Sequence, residues 1–125
     1  PTKIRATLAA ARTRYPGRRI IAVWQPHTYS RTLALEDDFA ASFADADEVI
    51  ITGIYASREE ERPYSMQQLL NKISGSPARH IADLPGVTSY LAQNLQPGDV
   101  MIVLSAGDAD RVCRDVQLLI KERKG

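Results

Sequence analysis

His27 and Arg31 lie one helical turn apart in the segment Gln25-Pro26-His27-Thr28-Tyr29-Ser30-Arg31-Thr32. A histidine can carry a proton or donate a hydrogen bond near neutral pH. An arginine can hold a carboxylate or phosphate through two parallel charge-assisted bonds. Thr28, Tyr29, Ser30 and Thr32 add hydroxyls. A cation at the start of a helix is disfavoured by the helix dipole. Arg31 in that position therefore points to an anion it must hold, with a surface arginine beside Glu36 as the plainer alternative. His27 bonded to loop backbone is the plainer reading of the histidine. Ser30 and Thr32 read as helix caps rather than nucleophiles, because nothing supplies a base at recognisable spacing. Tyr29 reads as a roof over the core.

A second small cluster is Ser105-Ala106-Gly107-Asp108. It is a tight turn of small residues that could cradle an anion, or simply a turn with Asp108 or Asp110 as cap. The dinucleotide pattern G-x-G-x-x-G is absent, and so is the Walker A lysine pattern. Two histidines, His27 and His80, and one cysteine, Cys113, show no metal-ligand spacing. His80 reads as a strand-edge residue. The charged stretch Ala-Ser-Arg-Glu-Glu-Glu-Arg-Pro, residues 56 to 63, reads by composition as a solvated loop.

The elements that must position these residues alternate. Ile4, Leu8, Ala11 and Tyr15 share one helical face, and Pro16-Gly17 stops that helix. Arg19 to Gln25 is a β-branched run that reads as a strand. Leu35, Phe39, Phe43 and Ala46 are helical again, and Val49 to Thr52 is the second strand. Ser65 with Gln68 forms a capping box ahead of Met66, Leu69, Leu70 and Ile73. Ala78 to Ala82 is a weak strand. Val87, Leu91 and Leu95 give a helix ended by Pro97-Gly98, Val100 to Leu104 is the strongest strand, and Val112, Val116, Leu119 and Ile120 make the last helix. Alternating strands and helices predict an α/β fold with a mostly parallel sheet and helices on both faces. Ligands of such sheets bind outside the carboxyl ends of the strands. Here those ends carry His27, the loop from Ile54 to Glu59, Asp83 and Ser105. The helix after Pro26 is expected to aim free N–H groups at the same edge.

Bulk properties fit this picture. The chain of 125 residues suits one domain, with 44% hydrophobic and 25% charged residues. Lysine and arginine total 16 against 15 acids, a net charge of +1 that gives no sign of a nucleic-acid partner. No apolar run approaches a membrane span, and Pro1 to Tyr15 lacks the apolar centre of a signal peptide. A single cysteine suits a reducing compartment.

The residues resemble a known family. Gln25-Pro26-His27, then Tyr29-Ser30-Arg31-Thr32, resembles the Gln-Pro-His-Arg-Tyr-Ser-Arg-Thr signature of the Mur ligase family, in the branch that adds L-alanine. Pro1-Thr2-Lys3-Ile4 is similar to the Pro-Thr-Glu-Ile that opens the family's C-terminal domain. Phe39-Ala40, Ala46-Asp47, and Ile54-Tyr55-Ala56 with Glu59 also fit. Ser105-Ala106-Gly107-Asp108 is similar to the family's Gly-Ala-Gly-Asp.

The resemblance implies a Rossmann-like three-layer αβα domain spanning residues 1–125, the C-terminal part of a three-domain bacterial cytoplasmic enzyme of peptidoglycan synthesis. The N-terminal domain would hold UDP-N-acetylmuramate, and a central domain would bind ATP and Mg²⁺. An Asp-Asp-Tyr-Gly-His-His segment would precede Pro1. The family reaction activates the muramoyl carboxylate as an acyl phosphate, which the amine of L-alanine attacks. His27, Thr28, Tyr29 and Arg31 would line the amino-acid pocket, with Arg31 on the alanine carboxylate. Ser105 to Asp108 would form an anion or closure loop. The domain alone would bind no cofactor or metal and would be inactive. Thr28 departs from the signature, which has an arginine there. That weakens the carboxylate clamp or hands part of it to another cation, for which Arg58 is the candidate. Two other readings use the same strand ends: a stand-alone flavodoxin-like binding module, and a small independent enzyme with His27 as general base.

Overall fold

The computed structural model describes residues 1–60, 63–105, 109 and 111–124, the side chains of 123 and 124 excepted. In chain order it contains α1 (Thr2–Arg14), β1 (Ile20–Trp24), α2 (Tyr29–Ala34), α3 (Glu36–Ala40), a 3₁₀ turn (Ala41–Phe43), β2 (Glu48–Ile51), α4 (Met66–Lys72), β3 (Ala78–His80), α5 (Leu84–Asn94), β4 (Val100–Leu104) and α6 (Arg111–Lys124). The strands form one parallel sheet in the order β3-β2-β1-β4. The α/β class and the parallel sheet agree with the sequence reading.

Every residue of β1 is buried. Its β-branched run serves two cores at once, which is why it does not alternate. Ile20, Ala22 and Trp24 face one layer with Leu8 of α1, Phe39, Phe43 and Leu69 of α4. Ile21 and Val23 face the other, with Val87 and Leu91 of α5 and Val112 and Val116 of α6. The result is three layers, helices on either side of the sheet. Trp24 anchors the first core, its ring 4.7 Å from Phe39 and 5.4 Å from Phe43. His80 lies on the edge strand β3, as its sequence context predicts, with Nδ1 2.9 Å from the Ile51 carbonyl oxygen. Among the described residues no helix is long and apolar enough to cross a membrane.

Two local expectations change. The helix predicted through Leu35 and Phe43 breaks at Leu35, whose backbone leaves the helical region at φ −114° and ψ 21°. The break separates the short α2 from α3. The capping box at α4 is half formed. Ser65 Oγ accepts from the Gln68 N–H, but the Gln68 amide donates to Glu36 Oε1 at 2.8 Å instead of returning to Ser65.

At the amino ends of the strands, Arg19 donates to Asp99 at 2.6 Å and pins the starts of β1 and β4. Asp47 accepts from the Ile20 N–H at 2.7 Å and from Arg12 at 2.8 Å. This edge is closed by ion pairs. The opposite edge is where the sheet opens.

Candidate functional site

The chain runs outward from β1 to β2 to β3, then returns across the sheet to lay β4 on the other side of β1. The crevice beyond the carboxyl ends of β1 and β4 is the topological switch point, where open parallel sheets take their ligands. A cleft of 460 Å³ lies there. Its wall includes Trp24, Gln25 and His27 after β1, Leu104 and Ser105 after β4, and Arg31 of α2. Lys3 of α1 also reaches it, and no aspartate or glutamate among the described residues lines it. Cations without acids on the wall favour an anionic ligand.

The floor is tied together across the switch point. Gln25 is buried, and its backbone N–H donates to the Leu104 carbonyl at 3.0 Å. Ser105 Oγ donates to Gln25 Oε1 at 2.7 Å. Of the segment Ser105 to Asp108, expected to form an anion loop, the structure describes only the first residue. Ser105 uses its hydroxyl to hold Gln25, and Ala106, Gly107 and Asp108 lie outside the described residues.

Past Pro26 the chain adds one rung to the sheet. The Tyr55 N–H donates to the Pro26 carbonyl and the Thr28 N–H donates to the Tyr55 carbonyl, each at 2.8 Å. His27 and Tyr55 thus form a parallel bridge, and their rings stack 5.8 Å apart with planes 21° from parallel. The His27 imidazole has no hydrogen-bond partner among the described residues. The backbone-bonded loop histidine of the plainer reading is replaced by one stacked on an aromatic at the cleft wall.

Thr28, not Ser30 or Thr32, caps α2. Its Oγ1 accepts from the Arg31 N–H at 3.3 Å. Thr32 is buried and its hydroxyl donates back to the Thr28 carbonyl at 2.7 Å. Thr28 adopts φ 61° and ψ 148°. That conformation is costly for a β-branched residue. The free N–H groups expected at this helix start are filled. Glu59 Oε1 accepts from the Tyr29 N–H at 2.6 Å and the Ser30 N–H at 3.2 Å, and the Ser30 hydroxyl donates to Glu59 Oε2. Filling occurs because a carboxylate is the natural complement of unsatisfied helical N–H groups, and this one arrives on the loop after β2.

Arg31 is exposed and lines the cleft. Its guanidinium has no ion pair or hydrogen bond among the described residues. Glu36, the neighbour that would have made it an ordinary surface arginine, is buried and engaged elsewhere. Glu36 accepts from Tyr64 Oη, from Gln68, and from Lys72 Nζ at 2.7 Å. Burial alone would raise the Glu36 carboxyl. The hydrogen bonds from Lys72, Tyr64 and Gln68 outweigh burial and hold it below the usual carboxylate range. Burial and the Glu36 charge push the Tyr64 phenol well above its ordinary value.

The structure therefore gathers His27, Arg31 and Ser105 at one cleft. Thr28 and Tyr29 sit next to it without lining it. Tyr55 and Glu59 were visible in the sequence only as family-like positions at a predicted strand end. Among the described residues no group of three histidines, cysteines or acids gathers that could hold a metal ion.

Residues 1–107 match the family model for the Mur ligase, glutamate ligase domain. The chain is 48% identical over 116 residues to the UDP-N-acetylmuramate–L-alanine ligase of Desulfitobacterium hafniense, covering 90% of this chain and 26% of that protein. It is 45% identical over 125 residues to the ligase of the same name from Alkaliphilus metalliredigens, covering 98% and 26%. The chain spans about a quarter of the length of these curated relatives. Among solved structures, the fold is similar to the UDP-N-acetylmuramate–alanine ligase of Thermotoga maritima, with a TM-score of 0.70 and 21% identity, over 99% of this chain and 24% of that one. It is also similar to a murein peptide ligase of Psychrobacter arcticus, with a TM-score of 0.77 and 16% identity, over 96% and 25%.

Proposed function

Starting from a chain that belongs to the Mur ligase family as its C-terminal domain, we propose that it positions the amino acid in an ATP-dependent ligase that joins L-alanine to UDP-N-acetylmuramate. The observation that carries the reading is Arg31, a guanidinium without a protein partner among the described residues, on the wall of a cleft that no described acid lines. A carboxylate fits that guanidinium in two parallel bonds. His27, held flat by Tyr55, borders the same space and orients what Arg31 holds. Fixing the carboxylate fixes the amine of the same small molecule. Its lone pair then meets an activated muramoyl carbonyl at high effective concentration.

This chain has no P-loop sequence, so ATP and Mg²⁺ fall to the central domain of the full-length enzyme. The same domain and the UDP-sugar close the cleft from the other side, and the isolated domain turns nothing over. The relatives are bacterial, and the proposed role is a cytoplasmic step of cell-wall synthesis. His27 lacks a hydrogen-bonded carboxylate to orient it among the described residues, so the arrangement of a general base with its orienting partner is not supported.

The test is Arg31→Ala in the full-length ligase. The KM for L-alanine is expected to rise by at least about tenfold, roughly 1.4 kcal/mol of lost binding, while that for ATP changes far less. An unchanged amino-acid KM would remove Arg31 from the pocket.

A further inference from the structure

We propose that Glu59 is a positioning residue for amino-acid recognition: its carboxylate fastens the start of α2 and thereby sets Arg31 on the cleft wall. This deepens the proposed function and rests on it. Helix α2 has six residues, too few to hold its own shape in water. Its location comes from what grips it. At its N-terminus that grip is Glu59, through the Tyr29 N–H, the Ser30 N–H and the Ser30 hydroxyl.

Arg31 is the third of the six residues of α2, close to the N-terminus that Glu59 grips, where the dipole opposes a cation. A carboxylate on the same turn offsets that opposition. It also occupies the N–H groups that would otherwise compete for a substrate carboxylate. Recognition of the anion is thereby left to side chains on the cleft wall. Glu59 makes no part of that wall, so its effect runs through α2.

The loop that carries Glu59 is itself stapled to the same segment. Tyr55 is bonded to Pro26 and Thr28, and Glu59 closes back on Ala56 with its N–H at 3.0 Å from the Ala56 carbonyl. Between them Ser57 takes φ 58°. Two left-handed residues, Thr28 and Ser57, thus flank one short double connection. Such conformations persist where surrounding bonds over-determine them.

The experiment is a double-mutant cycle in the full-length ligase, read as the KM for L-alanine. Glu59→Ala is expected to raise that KM by about tenfold, with the values for ATP and UDP-N-acetylmuramate within about twofold. In the Arg31→Ala background the same change adds nothing, because Glu59 acts through Arg31. Glu59→Gln, which keeps an acceptor for the Tyr29 N–H, gives an intermediate rise and serves if the alanine variant does not fold. The inference is overturned if Glu59→Ala and Glu59→Gln leave the amino-acid KM unchanged, or if they multiply it equally with and without Arg31. Should Arg31→Ala alone leave that KM unchanged, the pocket assignment fails first and this role falls with it.

Discussion

The His27 imidazole and the Tyr55 ring face each other 5.8 Å apart, one from each of the two central strands' extensions. The pairing is a rung of backbone bonds topped by an aromatic contact. Such contacts contribute about 0.5–1.5 kcal/mol beyond simple burial. Tyr55→Phe keeps the ring and should leave the amino-acid KM of the full-length ligase within about twofold, whereas Tyr55→Ala should raise it about two- to tenfold. Steady-state kinetics with L-alanine as the varied substrate checks both. Equal behaviour of the two variants would show that the stack does not orient His27.

Thr28 holds φ 61°. Any residue with a Cβ is strained there, at a cost of roughly 1–3 kcal/mol. Glycine removes the strain, keeps most of the cap's stability, and costs about 0.5–1 kcal/mol through the unfolded chain. Thr28→Gly should therefore stabilise the domain by about 1 kcal/mol, a rise of a few degrees in Tm. Thr28→Val keeps the branch, loses the hydroxyl that accepts from the Arg31 N–H, and should lower Tm. Thermal unfolding followed by circular dichroism separates the two, and a lower Tm for the glycine variant would mean that the strain is not present in solution.

Glu36 predicts the acid limb of stability. Its folded carboxyl titrates below the unfolded value of about 4.3. The stabilisation is thus present in full above that value and is lost as pH falls through the lower, folded pKa. Glu36→Gln should cost about 1–3 kcal/mol at pH 7 and flatten the loss on acidification. Asp47 and Asp99 retain part of the slope, since both are also depressed. Burial opposes the shift at Asp47, where the Ile20 N–H and Arg12 overcome it, while the Arg19 hydrogen bond leads at Asp99. Urea unfolding between pH 7 and pH 3 reads the effect. An acid limb unchanged by the substitution would exclude Glu36 as its source.

Sequence alone revealed the strands because β1, β2 and β4 are β-branched runs, the first two buried and β4 half-buried along the sheet edge. It revealed His27 and Arg31 because a polar segment follows a core strand directly. It could not reveal that Glu59 fills the start of α2, since that contact joins residues 29 and 30 positions apart. Residues 56 to 63 look solvated by composition, and one half-buried carboxylate beside the exposed Arg58 and Glu60 has no local mark. Glu36 was equally opaque. Its burial is tolerated only because Tyr64, Gln68 and Lys72 converge on it from another helix and its approach. The break at Leu35 was hidden for a different reason: the apolar spacing continues through it, although the backbone does not.

The bond between Ser105 and Gln25 joins positions 80 residues apart. Of the four strands β1 comes first, and its second neighbour, β4, comes last. Closing so long a loop carries an entropic cost that must be met before the pairing returns any stability. Until β4 is made, β1 can pair with β2, and β2 with β3, while the other flank of β1 stays bare. The cleft, whose wall includes Val103, Leu104 and Ser105, comes into being only as that last strand docks. Binding competence is in this way tied to completion of the sheet, and a partly folded domain presents His27 and Arg31 without the wall opposite them.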